Sequence, residues 1–367
     1  MNILGIETSC DETAAAVVVD GREMHSNVVS SQISIHQLYG GVVPELAARA
    51  QLQAIIPVVR QALSDARLDW GGIDGIAVTQ GPGLAGSLLV GVNVAKTLAY
   101  VMDTPLIPVN HLESHLYANW IVVPGEPRQT PSFPAVCLLV SGGHTELILV
   151  QDHGRYVHLG RTLDDAAGEA FDKGARLLGL GYPGGPVIQA VAAEGDPRNA
   201  ALPRAWLGET HDFSFSGLKT ALLREVAPYR LPADNIDPAP DLPFAPHQPP
   251  SYRQDMPVAD LAAGFEDAIV EVLAVKAVKA AMLHEVETLL LAGGVAANRK
   301  LRERIAGELK NVDPERRVKF LVPPANLCTD NAAMVAAAGY FALRRGLQAG
   351  WEFDVDARLP LAGVALD

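Results

Sequence analysis

Apolar runs of strand length alternate along this chain with polar turns and with longer stretches of helical spacing. The first run, Asn2 to Thr8, is closed by a polar turn, and a second follows at Ala14 to Val19. The same strand–turn–strand order returns at Ala135 to Ser141 and Thr145 to Val150. Both turns are built from Ser, Gly, Cys, Asp or His, so both predict tight hairpins. A second motif also repeats. Ile76-Ala77-Val78 runs into Gln80-Gly81-Pro82-Gly83 and a helix, and Leu289-Leu290-Leu291 runs into Gly293-Gly294 and a helix. The echo is weak in residue identity and regular in order. It predicts two copies of one α/β unit facing each other across a cleft.

The longer stretches read as helices. Val258, Leu261, Ala262, Phe265, Ala268, Ile269, Val272 and Leu273 fall on one helical face. Pro44 to Ala66 is similar, with Pro44 suited to a first turn and Pro57 expected to kink it. Leu84 to Val101 and Asn331 to Arg345 complete the set. The stretch Leu231 to Pro257 breaks the pattern with a run of prolines and predicts an exposed loop without chemistry.

Composition narrows the class. The chain has 367 residues, 49% of them apolar, enough for two domains or one duplicated fold. No uncharged apolar stretch reaches the length of a membrane span, and the first residues lack the basic region and cleavage site of a secretory signal. The expectation is a soluble, cytoplasmic protein with no membrane partner. Cys10, Cys137 and Cys328 are too few and scattered for a disulfide framework or a cysteine zinc site. The net charge of −13 speaks mildly against a nucleic-acid substrate bound through the chain's own surface. Local basic patches are available at Arg299, Lys300, Arg302 and Arg304 and at Arg316, Arg317 and Lys319, though each also reads as a solvated edge.

Five short segments carry candidate chemistry. Glu7 to Thr13, between two strands, is either an ordinary polar turn or a phosphate cradle in which Asp11 or Glu12 holds a metal-bound water or acts as a base. Val140-Ser141-Gly142-Gly143-His144-Thr145 is either a plain glycine turn or a close approach to a ligand. Two such turns at matching places favour the functional reading of both. Gly293-Gly294-Val295-Ala296-Ala297-Asn298 exposes backbone N–H groups at a helix start, with Asn298 as a ligand contact or a cap. His111 and His115, four apart, share a helix face and reach one metal ion, or are simply satisfied histidines. Glu113 lies roughly 200° round the helix from His111, away from the metal face, which disfavours a zinc protease. Asn110 and Glu113 fit a capping box. Asp330, in Cys328-Thr329-Asp330-Asn331, is placed by local pattern as a helix N-cap, with the third ligand of the histidine site as its alternative.

Gly81-Pro82-Gly83-Leu84-Ala85-Gly86 fits a dinucleotide fingerprint, but no acidic residue ends the next strand, Leu106 to Val109. Those glycines are expected to let a helix pack closely on the sheet.

Taken together, the segments resemble one family. Gly5-Ile6-Glu7-Thr8-Ser9-Cys10-Asp11-Glu12-Thr13 closely resembles the opening of the TsaD family, once described as glycoproteases. Gly40-Gly41-Val42-Val43-Pro44-Glu45, His111-x-Glu113-x-His115 and Val140 to Thr145 follow in that family's order. So do Phe171-Asp172-Lys173, Tyr182-Pro183-Gly184-Gly185, Gly293 to Arg299 and Cys328 to Asn331. The Pro-rich stretch is the main departure, and no matched motif falls within it.

The resemblance implies a duplicated actin-like ATPase fold (ASKHA, RNase H-like), with lobes at 1–132 and 133–367 and a last helix able to pack back on the first lobe. It implies that His111, His115 and Asp330 bind one divalent metal, Fe2+ in preference to Zn2+. Leu139, Val140, Ser141, Gly142, Gly143, Asp172, Gly185 and Asn298 would line the pocket of threonylcarbamoyl-AMP, a cleft that ATP, ADP or AMP would also fit. The implied reaction forms t6A by moving the threonylcarbamoyl group to N6 of adenosine 37, in tRNAs reading codons that begin with A. The implied partners are tRNA, TsaB, TsaE and a separate synthase of the adenylate. Asp11 is the candidate base. A sugar kinase or ATPase of the same fold and a non-catalytic scaffold are the rivals. The histidine pair tells against a kinase, which needs magnesium on carboxylates.

Overall fold

The computed structural model describes residues 1–126, 129–232, 244, 246–315, 317–361 and 364–365. Its strands form two sheets. The first holds β1 (Asn2–Glu7), β2 (Glu12–Val19), β3 (Glu23–Ser31), β4 (Gly75–Gly81) and β5 (Leu106–Asn110) in the order β3-β2-β1-β4-β5. The second holds β6 (Ala135–Val140), β7 (Thr145–Asp152), β8 (Arg155–Arg161), β9 (Thr288–Ala292), β10 (Lys319–Leu321) and β11 (Val364–Ala365) in the order β10-β9-β6-β7-β8-β11. In each sheet a hairpin pair leads to a third antiparallel strand, and two parallel strands follow on the other side. Apart from β11 the two orders are the same, which is the duplication foreshadowed by the repeated motifs.

Helices among the described residues are α1 (Ile33–His36), α2 (Pro44–Asp65), α3 (Ala85–Met102), α4 (His111–Tyr117), α5 (Ala167–Leu177), α6 (Gly184–Ala192), α7 (Ser216–Val226), α8 (Val258–Leu283), α9 (Arg299–Val312) and α10 (Ala332–Arg344). They divide the apolar residues among three cores. One packs Leu4, Ile6, Ala15 and Val17 under α2 and α3. A second lies between the sheets, where α4 and α10 meet Ile3, Ala14, Ala16, Cys137, Leu139 and Ile148. The third packs Val136, Leu138 and Val140 against α5 to α9. Strands covered on both faces must be apolar at every position, and so β6 reads as a continuous run instead of an alternating one.

The inner layer is tight because α10 is made largely of alanine. A Cβ on Gly5 of β1 would lie 2.3 Å from the carbonyl oxygen of Ala332, and one on Gly339 would lie 2.4 Å from the Cβ of Ala77 in β4. Small residues on both sides bring helix and sheet backbones together.

Several expectations change. A Cβ on Gly81 would meet the carbonyl of Asp356, and one on Gly83 would meet that of Ser9, so these glycines admit the C-terminal segment and the first hairpin turn. The close approach of α3 is made by Gly91, against Thr8. The glycine pair after β9 enters a 3-10 turn, Gly294–Ala297, before α9 begins. α3 is long and apolar enough to cross a membrane, yet Val90, Val92, Ala95 and Ala99 are buried against the first sheet. Within the Pro-rich stretch, residues 233–243 and 245 lie outside the described residues, as does Arg316. The rest of the stretch is anchored, with His247 N donating to Leu38 O at 2.9 Å and Tyr252 OH donating to Leu177 O.

Candidate metal centre

α4 begins where Asn110 Oδ1 accepts the N–H groups of Leu112 (2.9 Å) and Glu113 (3.2 Å). This cap sets the helix so that His111 and His115 point the same way, their rings 4.7 Å apart. The capping box is only half made, because the Glu113 side chain turns away to Tyr156 and Arg345. Across the inter-sheet layer, Asn331 caps α10 by accepting Met334 N at 3.0 Å. Its amide also donates to Leu327 O and Thr329 O, which holds the preceding turn. Asp330 is therefore not the cap. Its Oδ1 lies 3.2 Å from His115 Nε2 and 3.6 Å from His111 Nε2. The ligand atoms of the three residues all lie within 4.8 Å of one another, room for one cation.

The surroundings fit a metal. His111 Nδ1 faces Glu7 Oε2 at 3.1 Å and Ser9 Oγ at 3.2 Å, so an Nδ1–H held by the carboxylate leaves Nε2 as the ligand. Glu7 is fully buried and also accepts Ser9 N (2.5 Å) and Thr79 Oγ1 (2.7 Å). His115 is buried, and its Nε2 faces only the Asp330 carboxylate without hydrogen-bond geometry, a pairing that a cation between the two would satisfy. Burial opposes charge on His111, but the carboxylates of Asp330 and Glu7 outweigh it and raise its pKa to about 9. Burial likewise opposes charge on Asp330, and the two imidazoles overcome it, lowering its pKa to about 2. Nearby, burial and the charges of Asp330 and Asp11 push Glu12 and Cys10 well up. A buried group this rich in carboxylates favours positive charge.

The centre opens into a cleft. A chamber of about 660 Å³ is lined by Ser9 to Glu12 and His111 on one side, Ser141 to His144 on the other, and Asp330. It adjoins a chamber of about 270 Å³, walled by Phe171, Gly185, Gln189, Val295 and Asn298, and the two share Gly142, Asp172, Pro183, Gly294 and Thr329. A Cβ on Gly142, Gly143, Gly185 or Gly294 would meet no atom within 4 Å. Packing does not require glycine there, and the bare backbone leaves space for a ligand. Asp172 Oδ1 accepts Gly184 N at 2.7 Å, and burial raises its pKa.

Of the residues expected at the site, Asp11, Ser141, Gly142, Gly143, Asp172, Gly185 and Asn298 line this cleft with His111 and Asp330. Leu139 and Val140 do not, because their side chains are fully buried in the cores on either face of β6. Asn298 caps α9 through Leu301 N (2.8 Å) and donates to Glu266 (2.7 Å). Three basic residues of α9 are engaged within the fold, and Arg299 and Lys310 stay exposed. Lys300 pairs with Asp267 and Arg304 with Glu271 and Glu308, while Arg302 donates to Ala296 O and Pro323 O. The sequence reading assigned no role to Glu7 or Thr79, although a carboxylate ending an otherwise apolar strand is a visible signal.

The family model for "TsaD: tRNA N6-adenosine threonylcarbamoyltransferase" matches residues 23–337. The tRNA N6-adenosine threonylcarbamoyltransferase of Thermomicrobium roseum is 60% identical over 363 residues, covering 98% of this chain and 97% of that one. The protein of the same name from Symbiobacterium thermophilum is 52% identical over 346 residues, covering 94% and 93%. The HypF crystal structure from T. kodakarensis superposes with a TM-score of 0.57 at 15% identity, over 94% of this chain and 48% of that one. The activator of the 2-hydroxyisocaproyl-CoA dehydratase from Clostridium difficile gives 0.50 at 12% identity, over 94% and 97%. Likeness at that level speaks to fold alone, here the duplicated actin-like ATPase architecture of two matched sheets. With similarity spanning almost the whole chain, this protein belongs to the TsaD family of tRNA N6-adenosine threonylcarbamoyltransferases.

Proposed function

We propose that the chain performs its family's reaction at the cleft just described, using threonylcarbamoyl-AMP as donor and N6 of adenosine 37 as acceptor, in tRNAs that read codons beginning with A. The observation that carries this reading is the convergence of His111, His115 and Asp330 beside a cleft edged by four glycines with open space where a Cβ would be. Two imidazoles and one carboxylate suit Fe2+, with Zn2+ accepted by the same donors. A divalent ion there would supply a Lewis acid for the adenylate's phosphate or carbonyl oxygens and offset the charge that develops as AMP leaves.

The protein's own groups do the rest. Backbone N–H groups of Gly142, Gly143 and Gly185 steady anionic oxygens of the adenylate, while that of Ser141 closes the turn on His144 O. Leu139 and Val140 contribute only backbone, as the strand that delivers that turn. Asp172 and Asn298 wall the smaller chamber, where the nucleoside part fits. The adenosine amine is a weak nucleophile and must lose a proton, which Asp11 on the wall of the larger chamber accepts. Residues 1–132 and 133–367 act as the two lobes around this cleft. A separate synthase supplies the adenylate in the cytoplasm, and TsaB and TsaE help an acidic chain handle tRNA.

The test mixes purified chain, partners, threonine, bicarbonate, ATP and unmodified tRNA and looks for modified adenosine by nucleoside mass analysis. The expected result is product with the parent chain and none with Asp330→Asn. Full product from the Asp330→Asn chain, or none from the parent, overturns the reading.

A further inference from the structure

A helix of seven residues, about 10 Å long, has little of its own to stop it turning or sliding. α4 carries His111 and His115 on one face. Its other face carries Glu113, whose Oε1 accepts Tyr156 OH at 2.7 Å and an Arg345 guanidinium N–H at 3.3 Å. Tyr156 stands in β8 of the second sheet, buried, with its hydroxyl 3.5 Å from that of Tyr117 and accepting Gly154 N at 3.3 Å. Arg345 closes the far end of α10, the helix whose near end follows Asp330. Its guanidinium lies on Gly154, where a Cβ would come within 1.7 Å of Nη1. One turn beyond Glu113, Tyr117 OH lies 3.0 Å from His153 Nδ1, and the His153 ring stacks on Phe341 of α10 at 3.9 Å.

We propose that Glu113, Tyr156 and Arg345 are positioning residues for the metal centre, fixing the rotation of α4 and its setting against α10. The proposal rests on the reading of His111, His115 and Asp330 as ligands. Its geometric ground is that the tether joins α4, which supplies two of the ligands, to α10, which begins just after the third, from the side opposite the imidazoles. A hydroxyl from the second sheet completes it, so three elements are locked together at one carboxylate oxygen. The ion pair is also sheltered, its side chains 15% and 27% exposed, unlike a screened surface pair. Metal ligands must be held within about 0.5 Å of their working positions, a tolerance that a short untethered helix exceeds.

A plain strut would alter thermal stability and leave the folded protein's metal affinity alone. The experiment therefore strips the full chain with a chelator and titrates Co2+ against a competing chelator, reading the Co2+ visible spectrum as the report on ligand geometry. Circular dichroism of each metal-free variant checks folding. Glu113→Ala is expected to weaken Co2+ binding about 10–100-fold and change the spectrum. Tyr156→Phe is expected to do so less, and Glu113→Gln, which still accepts from Tyr156, least. Affinity within about twofold of the parent for Glu113→Ala overturns the proposal, or for Tyr156→Phe and Glu113→Gln together if Glu113→Ala does not fold. Asp330→Asn separates the two levels. If it binds Co2+ like the parent, the ligand reading fails and this proposal with it; if it loses binding while Glu113→Ala keeps it, only the tether fails.

Discussion

Gly5 lies in β1 where α10 crosses the first sheet, outside the residues that line the cleft, and its replacement by alanine tests how the fold holds the metal centre. The added Cβ would sit 2.3 Å from Ala332 O and 2.7 Å from Ala336 N, both backbone atoms of α10. Neither can swing aside as a side-chain tip would. Restoring van der Waals contact moves the helix off the sheet by roughly 1 Å. On its other side α10 is packed against α4 and the second sheet's inner face, so the displacement spreads into a dense layer. Overpacking of this kind costs about 1–3 kcal/mol, and a backbone obstacle places Gly5→Ala near the upper figure. At roughly 2–4 °C per kcal/mol, the melting midpoint should fall by about 6–12 °C. Asp330 immediately precedes the shifted helix, so the folded variant should also bind Zn2+ or Co2+ at least about tenfold more weakly. Thermal unfolding followed by circular dichroism, with metal titration well below the transition, measures both. A midpoint within about 1 °C of the parent with unchanged metal affinity refutes the packing argument.

Three further outcomes are expected. Asp11→Asn should slow single-turnover transfer by about 10²–10⁴-fold with adenylate binding preserved, and unchanged turnover removes Asp11 from the mechanism. Glu7→Gln places an amide among three donors, Ser9 N, Thr79 Oγ1 and His111 Nδ1. It should weaken metal binding about 10–100-fold in calorimetric titration, and parental affinity would show that His111 needs no carboxylate behind it. The third concerns pH. The His111 pKa is raised to about 9 in the metal-free fold, so its contribution of up to about 3 kcal/mol is complete below its unfolded pKa of about 6.5 and is lost as pH rises through 9. A metal must displace that proton, so its apparent affinity should rise about tenfold per pH unit from 7 towards 9 and level off above, and a flat profile across that range contradicts the assignment.

How far the sequence reached is clearest at α4. The cap at Asn110, the shared face of the two histidines and the outward turn of Glu113 all follow from helical spacing over a few residues. The destination of Glu113 does not, since Tyr156 and Arg345 come from distant parts of the chain. At Asp330 local pattern pointed the wrong way, because aspartate and asparagine cap helices equally well and only the chain's path selects Asn331. The glycines of Gly81 to Gly86 show the same limit, since a motif records that glycine is needed without recording which backbone comes near.

The positions of β1, β2, β4 to β7 and β9, the long helices α2, α3, α8 and α10, the two hairpin turns and the repeated order of elements were therefore legible in the sequence, because periodicity and turn chemistry act between near neighbours. By contrast, β3, β8 and α5 to α7 were not read from it. Family resemblance extended that to a ligand set. Tertiary structure decided which carboxylates face the imidazoles, which faces of β6 are buried, and that Lys300 and Arg304 of α9 are spent on Asp267, Glu271 and Glu308. Those outcomes depend on helix packing and sheet register between segments far apart in the chain, and nothing in the local alternation of polar and apolar residues encodes them.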